Sequence, residues 1–458
     1  MIGRDSEAAQ KLMADCMAGR VSRRQLVKRA AALGLSFPAF ASMLHVNSAF
    51  AQATPSASPS PVIPVDESIT GDVEIFSWWT SGGEAAALQT LFDNLKQVAP
   101  NVNIVNATVA GGAGVNAQAV LQTRLASNDP PDSWQTHIGR ELYDRYVTPG
   151  YCDPITDLYD SQGWNDVLPK GLIDQVTQDG EKYAIPVGVH RGNGLWYNKQ
   201  VLQDAGVEVG DTMSLDEFFA AADKIKAKGN AAAYGMGDNE GFPDTQNFED
   251  VLLAVLGPDN YLKLFTGDLA WDDASVKEAA TTYGRQLDYV NNDHAALTWS
   301  DAIGSLIDGK QAFNQMGDWA YGEFVKKDVV DKIGWVSTPG TAGSFVLVVD
   351  CFTLPKGAPN AAAATAWLKV LGTVGAQAAF NPLKGSIPAR TDVPRDGFSD
   401  YHQWSMDSFA NDKLVPSIAH GEAASPAFQQ TALEATGSFV TDKDVDTLLS
   451  TLASAAQE

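Results

Sequence analysis

Cysteine is scarce in this chain of 458 residues, which has only three. Cys16 lies near the N-terminus, whereas Cys152 and Cys351 are far apart in the sequence. Two distant cysteines do not establish a bridge, because a disulfide requires Cα atoms within about 7 Å of each other. The sequence therefore leaves two interpretations open: one disulfide formed outside the cytoplasm, or two unpaired buried thiols.

Long apolar runs are lacking after the N-terminal 51 residues. A helix that spans a bilayer needs about 20 consecutive apolar residues. We therefore predict that the chain does not span a membrane.

Positive charge is also in short supply. The chain has 32 Lys and Arg against 56 Asp and Glu, a formal charge of −24. Residues 1–51 contain seven of the basic and three of the acidic side chains, so the remainder carries −28. Such a charge argues against nucleic acid and anionic membrane surfaces as partners.

Motifs for catalysis or for tight cofactor binding are missing. The sequence contains no His-Glu-x-x-His, no Gly-x-Ser-x-Gly and no cysteine cluster with metal-ligand spacing. The glycine-rich turn at 111–114 lacks the spacing of a dinucleotide or phosphate site, so it is interpreted as a loop. We predict no metal, no cofactor and no enzymatic activity. The paired carboxylates of a glycosidase have no fixed spacing, so that enzyme class stays open.

The N-terminus is distinctive in what it does contain. Arg23 and Arg24 form a twin-arginine sequence, an apolar run follows at residues 30–44, and Ala49-Phe50-Ala51 is a small-x-small cleavage pattern. This order is typical of a secretory signal. We therefore predict that residues 1–51 are a signal peptide for the twin-arginine route, and that the protein works in the periplasm or on the extracytoplasmic face of the membrane.

A segment rich in Ala, Ser, Thr and Pro follows the cleavage pattern. It cannot bury enough apolar surface to offset its ordering entropy. We predict a flexible linker over residues 52–68 and a folded part that begins near Ile69.

The remaining chain of about 400 residues is too long for one hydrophobic core, so two lobes are expected. The first part alternates between strand and helix patterns, at residues 72–78, 84–98, 102–109, 115–126 and 133–136. This alternation predicts an α/β fold with a parallel sheet between helices. Later residues repeat the mixture, with strands or helices at 194–198, 215–228, 248–256, 274–290, 309–316, 344–354 and 361–372. A capping box of Ser214 and Glu217 marks the start of the helix at 215.

Tryptophan is the most informative residue type, with 11 in the chain. Several stand next to polar residues near predicted strand ends, as in Trp78-Trp79, Trp134–His137 and Trp319 after Asp318. A sugar presents an apolar C–H face and a ring of hydroxyl groups, so its pocket needs flat aromatic faces and polar side chains. Ligands of open α/β sheets lie at the carboxyl ends of the strands. The pattern therefore indicates a sugar site.

From about residue 70 to its end, the chain resembles the family 1 extracellular solute-binding proteins, the maltose-binding-protein-like class. The resemblance depends on Leu195-Trp196-Tyr197-Asn198-Lys199 and on Gly309–Phe313 followed by Met316–Trp319. It is closer to the bacterial glucose/galactose-binding members of that class, through segments at 74–79, 106–117, 129–132, 169–174, 381–386 and 420–421. The resemblance implies an α/β, two-lobed periplasmic-binding-protein fold of type II, the larger sugar-binding class, with the ligand cleft between the lobes.

At each sugar-contacting position of these members, this sequence has a residue of the same type. The implied ligand-binding residues are Trp79, Glu84, Gln135, His137, Trp299, Trp319, Asp350, Lys384 and His420, with Trp78 as a secondary candidate. Trp299 or Trp319 would stack on the sugar ring, and the carboxylates would accept hydrogen bonds from hydroxyl groups. Lys384, His137, His420 and Gln135 would donate. His190 and Arg191 are interpreted as hinge residues or as support behind the site.

The predicted molecule is a clamp that closes on sugar by hinge bending at crossings near 186–190 and 335–340. Residues 69–187 plus 341–384 are expected to form lobe I, and residues 188–340 plus 385–458 to form lobe II. The resemblance implies a monomer that delivers a monosaccharide of the glucose, galactose or mannose type to the permease subunits of an ABC importer. Three alternatives remain open: an oligosaccharide binder, a sugar sensor for a signalling partner, and a secreted glycoside hydrolase that uses Glu84 and Asp350.

Overall fold

The computed structural model describes residues 63–80, 82–111 and 114–457. The predicted signal peptide, residues 1–51, and linker residues 52–62 lie outside these ranges. The last linker residues, 63–68, are held against the folded part: Asp66 N donates to Val98 O (2.8 Å), and Asn101 Nδ2 donates to Glu67 O (2.8 Å). The folded part therefore includes residues before Ile69.

The fold opens with the predicted alternation of strands and helices. These elements are β1 (Gly71–Phe76), α1 (Gly82–Val98), β2 (Val102–Asn106), α2 (Val115–Ala126) and β3 (Ser133–His137). β1 pairs in parallel with β2 on one side and with β3 on the other. α1 buries Leu88, Leu91, Phe92 and Leu95, whose spacing places them on one helical face. The structure thus confirms the parallel sheet.

Further strands follow in chain order. They are β4 (Cys152–Asp153), β5 (Thr177–Gln178), β6 (Glu181–Lys182), β7 (Ala184–Arg191), β8 (Gly194–Asn198), β9 (Ala232–Gly235), β10 (Gln311–Gln315), β11 (Ile333–Ser337), β12 (Ser344–Pro355), β13 (Ile387–Pro388) and β14 (Lys413–Pro416). They complete two separate sheets and a two-stranded hairpin of β5 and β6.

The first sheet has the order β13-β7-β12-β3-β1-β2, with β4 and β14 also paired to β12. β12 is antiparallel to both β7 and β3. The second sheet has the order β11-β8-β10-β9. Each sheet lies in a core of its own, as expected for a two-lobed α/β protein.

Helices cover both sheets. The remaining ones are α3 (Arg140–Leu142), α4 (Thr156–Gln162), α5 (Trp164–Val167), α6 (Lys170–Asp174), α7 (Lys199–Ala205), α8 (Leu215–Lys228), α9 (Phe242–Thr266), α10 (Ala274–Gln286), α11 (Trp299–Ile307), α12 (Trp319–Lys327), α13 (Ala361–Leu371), α14 (Val374–Lys384), α15 (Asp400–Asn411), α16 (Pro426–Asp442) and α17 (Val445–Ala455). A π-helical turn at Tyr143–Val147 follows α3, and 3₁₀ turns lie at Leu287–Tyr289, His294–Ala296, Val330–Lys332 and Arg395–Gly397. None of the described helices is long and apolar enough to cross a membrane.

The chain crosses between the sheets where strands of one end and strands of the other begin. β7 ends at Arg191 in the first sheet, and β8 begins at Gly194 in the second. β11 ends at Ser337 in the second sheet, and β12 begins at Ser344 in the first. Both crossings lie a few residues beyond the predicted positions. The exact lobe boundaries remain a prediction; β13 and β14, which it assigns to lobe II, hydrogen-bond to strands of the first sheet.

The crossings are joined through the buried side chain of Arg191. Its guanidinium lies between the rings of Phe345 (4.5 Å) and Trp404 (4.4 Å) and donates to Asn193 Oδ1 (3.1 Å) and Ser344 O (3.3 Å). Planar stacking and several directed hydrogen bonds are what a guanidinium provides and an ammonium does not. Arg191, which the sequence assigns to a hinge or to support behind the site, therefore connects both crossings.

Cys152 and Cys351 are both free and buried. Of the two interpretations left open by the sequence, the structure has unpaired thiols. Burial raises the pKa of each thiol, so both stay protonated and unreactive near neutral pH.

Candidate functional site

Strand ends of the first sheet bring the first group of polar side chains together. His137 is the last residue of β3, and Trp78 follows the end of β1 by two residues. In the middle of β12, Asp350 is paired with His137 on one side and with Gly188 of β7 on the other. A bulge after Asp350 interrupts the ladder with β7. The carboxyl ends of parallel strands thus meet the centre of an antiparallel one.

A cavity of about 260 Å³ lies at this place. One wall comes from the first sheet and its helices, and the facing wall comes from the loops and helices around the second sheet. The cavity is lined by Trp78, Thr80, Glu84, Ala110, Gly111, His137, His190, Glu240, Phe242, Thr298, Trp299, Ser300, Trp319, Val348, Asp350, Lys384 and His420. Of the nine implied ligand-binding residues, seven line it.

Asp350 is the most connected carboxylate of the wall. It accepts hydrogen bonds from Gln135 Nε2 (2.7 Å) and His190 Nε2 (2.9 Å), and Lys384 Nζ lies 4.0 Å away. Burial alone would raise the pKa of Asp350, but the hydrogen bond from His190 and the nearby positive charges outweigh it and lower the pKa far below its ordinary value of 3.8. Asp350 is therefore an ionised acceptor at every physiological pH.

Glu84 and Lys384 form a second charged pair on the same wall. Lys384 Nζ lies 2.9 Å from Glu84 Oε1, and the lysine is almost fully buried. Burial raises the pKa of Glu84, and Lys384 partly opposes that rise. The pair offers an acceptor and a donor side by side, which is the combination that vicinal hydroxyl groups require.

His190 belongs to the cavity wall and not to a layer behind it. Its Nε2 faces Asp350, and its Nδ1 pairs with Asp318 Oδ1. Burial and the charge of Lys384 lower the pKa of His190, but the two carboxylates outweigh them and raise it above 6.5. Asp318 Oδ2 also accepts from Arg191 N (3.0 Å), so this carboxylate connects the cavity to the crossing.

Aromatic rings cover opposite sides of the cavity. Trp78 packs on His137 with ring centroids 5.1 Å apart, and Trp319 packs on His420 (5.1 Å) and His190 (5.6 Å). Trp299 is the first residue of α11, whose capping box is formed by Thr298 and Asp301. These rings supply the flat apolar faces expected of a sugar pocket.

Two implied ligand residues, Trp79 and Gln135, lie behind the wall. Trp79 packs against Phe352 (5.6 Å) and Phe380 (5.0 Å) in the core, and its neighbour Trp78 lines the cavity instead. Gln135 accepts from Trp78 N (3.2 Å) and donates to Asp350 Oδ1. It thereby fixes two wall residues without reaching the cavity itself.

Several residues of the cavity wall are not among the ligand-binding residues that the sequence implies. The clearest is Glu240, in the loop between β9 and α9, whose Oε2 accepts from Trp299 N (3.3 Å). The others are Thr80, Ala110, Gly111, Phe242, Thr298, Ser300 and Val348, together with His190, which the sequence assigns to a hinge or to support behind the site. Glu240 follows a strand of the second sheet, and that position was the one available signal.

The donor set does not fit a metal ion. No group of three His, Cys, Asp or Glu side chains within residues 63–80, 82–111 and 114–457 could hold one. The cavity histidines use ring nitrogens to bond neighbouring side chains, as His137 Nδ1 does with Glu141 Oε2 (2.7 Å). What the arrangement can do is hold a polyhydroxylated ring between aromatic faces.

Comparison with known proteins shows the family to which the chain belongs. Residues 92–413 match the family described as bacterial extracellular solute-binding protein. An uncharacterised ABC transporter extracellular-binding protein of Pyrococcus horikoshii is 37% identical over 395 residues, covering 86% of this chain and 88% of the relative. A probable sugar-binding periplasmic protein of Rhizobium meliloti is 33% identical over 373 residues, covering 79% and 87%.

Solved structures agree on the fold. The bacterial solute receptor AcbH, described as having an exclusive preference for β-D-galactopyranose, superposes with a TM-score of 0.75 at 20% identity, covering 85% of this chain and 98% of that one. A chitin oligosaccharide binding protein also superposes with a TM-score of 0.75, at 18% identity and with coverage of 85% and 98%. Both likenesses confirm the predicted two-lobed fold.

The matched family and its relatives are solute-binding proteins that act outside the cytoplasm. They confirm the prediction that the chain performs no chemistry, so the hydrolase alternative is wrong. The chain belongs to the bacterial extracellular solute-binding proteins.

Proposed function

We propose that the cavity binds one monosaccharide of the glucose, galactose or mannose type. The observation that carries the proposal is the size and lining of the cavity. Its volume of about 260 Å³ is slightly below the range of about 300–1,000 Å³ usual for ligand pockets. Aromatic rings stand on facing walls, and ionised side chains lie between them. This is the size and chemistry that a single pyranose ring requires.

The side chains divide the recognition between them. Trp319 and Trp299 stack on the sugar ring, with Trp78 on the opposite wall. Asp350 and Glu84 accept hydrogen bonds from hydroxyl groups, and Lys384 donates. His137, His190 and His420 stand within reach of the remaining hydroxyl groups.

Closure of the lobes presents the bound sugar to the permease. A ligand that touches both walls stabilises the closed form, because it makes its full set of contacts only there. The protein is exported by the twin-arginine route and works as a monomer. Replacing Arg23 and Arg24 together by Lys is expected to keep the protein in the cytoplasm, as cell fractionation would measure.

Calorimetric titration with glucose, galactose, mannose and maltose tests the sugar class. We expect at least one monosaccharide to bind with a dissociation constant at or below the micromolar range. Maltose binding more tightly than every monosaccharide would favour an oligosaccharide ligand, the class bound by the chitin oligosaccharide binding protein. No heat with any of the four would contradict the proposal.

A further inference from the structure

A chain of three buried groups runs from helix α9 to the cavity. Glu249 Oε1 lies 2.9 Å from Ser417 Oγ, and Ser417 Oγ lies 3.0 Å from His420 Nδ1. Glu249 and Ser417 are fully buried, and His420 lines the cavity. This hydrogen-bonded series of Glu249, Ser417 and His420 therefore joins the interior of the protein to the sugar site.

The two oxygens of Glu249 have different roles. Oε2 accepts from the backbone N–H groups of Ile418 (2.6 Å) and Ala419 (3.1 Å). Oε1 has Ser417 Oγ as its partner at 2.9 Å, and the same hydroxyl lies 3.2 Å from Oε2. Since donors occupy Oε2, a proton on this carboxyl group belongs on Oε1, where it points to the serine.

Two arrangements of the protons satisfy both side-chain hydrogen bonds that join Glu249, Ser417 and His420. When Glu249 is ionised, the Ser417 hydroxyl donates to it, so His420 Nδ1 must carry the hydrogen that Ser417 accepts. When Glu249 is protonated, it donates to Ser417, and the hydroxyl turns to donate to His420 Nδ1. In both arrangements His420 N also donates to Ser417 Oγ (3.2 Å). The neutral ring has one N–H, so its other nitrogen changes from acceptor to donor between the two states.

We propose that Glu249 is a positioning residue that sets the tautomer of His420, and with it the hydrogen-bond polarity that His420 Nε2 offers to the sugar. Nε2 has no hydrogen-bond partner among the described residues, whereas Nδ1 is held by Ser417. The proposal rests on the proposed function, because it needs His420 to contact the ligand.

The change of state conserves protons. One proton arrives from solvent in the cavity and binds His420 Nε2. The Nδ1 proton moves to Ser417 Oγ, and the serine hydroxyl proton moves to Glu249 Oε1. The net result is uptake of one proton by the buried carboxylate and a change of tautomer at the cavity wall.

The electrostatic surroundings place this change near neutral pH. Burial raises the pKa of Glu249 to about 7, although its hydrogen bonds from Ala419, Ser417 and Ile418 oppose that rise. The titratable groups that face Glu249 are Asp250 and Tyr261 on its own helix and Glu422 on the loop after His420. The charged groups that face His420 are His137, Asp350, His190 and Lys384. Burial and the three positive partners lower the pKa of His420 well below 6.5 against the opposing charge of Asp350, so its ring stays neutral throughout.

Nitrogen-15 NMR of the histidine side chains tests the proposal on the sugar-free protein. We expect His420 to carry its proton on Nε2 at pH 5.5 and on Nδ1 at pH 8.5. In Glu249→Gln, the amide N–H donates to Ser417 permanently, so His420 should keep the Nε2–H tautomer at both pH values. Asp132→Asn is the matched control, since Asp132 is a buried acid at the opposite end of β3 from the cavity, bonded to Glu74 N and Asn360 N, and this variant should switch like the wild type.

Calorimetry then links the tautomer to binding. We expect the dissociation constant for the preferred monosaccharide to differ about tenfold between the two states in the wild type, the effect of one hydrogen bond of about 1.4 kcal/mol. At both pH values, the dissociation constant of Glu249→Gln should equal that of the wild type at pH 5.5.

An unchanged His420 tautomer between pH 5.5 and 8.5 in the wild type would overturn the proposal, whether or not Glu249→Gln folds. So would a tautomer that still switches in Glu249→Gln. Absence of sugar binding with a normal tautomer switch would instead refute the proposed function and leave this proton chain standing.

Discussion

Trp319 shows how single side chains build the sugar site. It is the first residue of α12, its ring packs on His420 and His190, and Lys384 Nζ lies 5.9 Å from its centroid. These neighbours hold the indole in one orientation, so little conformational entropy is lost when a ligand stacks on it.

Trp319→Ala is expected to weaken monosaccharide binding at least about tenfold, because it removes a buried aromatic face from the cavity. Calorimetric titration measures the change, and circular dichroism checks the fold. Trp335→Ala is the matched control, since Trp335 packs on Tyr401 away from the cavity and should leave affinity unchanged. Equal affinities of the two variants would remove Trp319 from the site.

His190 gives the stability of the protein a component that depends on pH. Its pKa is raised in the folded state, so its ion pairs contribute in full below its ordinary pKa of 6.5 and are lost as pH rises through the folded value. Stability should therefore fall less above pH 6.5 in His190→Gln than in the wild type. Urea unfolding at pH 6, 7.5 and 9 measures this, and parallel curves for the two proteins would contradict it.

The sequence predicts some cavity residues that lie in strands and does not predict others that lie in loops. His137 and Asp350 stand in strands, whose position in a sheet follows from local pattern. Trp78 and Trp79 follow the end of β1, where the alternation of strand faces no longer applies, so their order could not be predicted. Glu240 reaches the cavity only through long-range packing of its loop against residues 291–299, which no local pattern encodes.

Among the elements, α1 and α12 make an unusually close contact. A Cβ added to Gly83 would lie 2.8 Å from Gly322 Cα, and one added to Gly322 would lie 2.6 Å from Leu383 O at the end of α14. Gly83 N donates to Glu323 Oε1 (3.1 Å), so a side chain of α12 caps the first turn of α1. On the proposed lobe boundaries, this contact joins the two lobes.

Gly322→Ala is expected to push α12 away from α14 and α1, and to weaken sugar binding about tenfold through a less stable closed form. Calorimetry gives the affinity, and small-angle scattering with saturating sugar gives the compactness. Gly375→Ala is the matched control, since that glycine lies in α14 with open space around its Cα and should behave like the wild type. Unchanged affinity in Gly322→Ala would show that the contact does not take part in closure.

Elements with a strong local signal were predicted well. α8 begins and ends where its capping box and amphipathic pattern predicted. α9 begins at Phe242 and not at the predicted Phe248, because its first turns bury Asp244, Thr245, Gln246 and Asn247, and buried polar residues hide the apolar period. Partners for these polar groups come from distant segments, as with Thr245 and Thr436 (2.7 Å).

At the scale of the whole molecule, Arg191 stabilises the connection between the two sheets. Arg191→Met is expected to lower the free energy of unfolding by about 3 kcal/mol, because it leaves buried acceptors at both crossings unpaired. Chemical denaturation measures the loss. Arg285→Met is the control: that guanidinium also lies over a ring, Phe219 at 3.7 Å, but it is exposed and should cost under about 1 kcal/mol. Equal losses would contradict the role of Arg191.

The close approach of Gly83 and Gly322 has a consequence for how such a receptor evolves. The contact is made by backbone atoms and by Glu323, none of which lines the cavity. Its free energy therefore enters the closing equilibrium equally for every sugar. Replacing Glu323, whose carboxylate bonds Gly83 N and does not line the cavity, therefore multiplies all association constants by one factor and leaves their ratios intact. The molecule can thus adjust its working concentration range while its choice of sugar stays fixed.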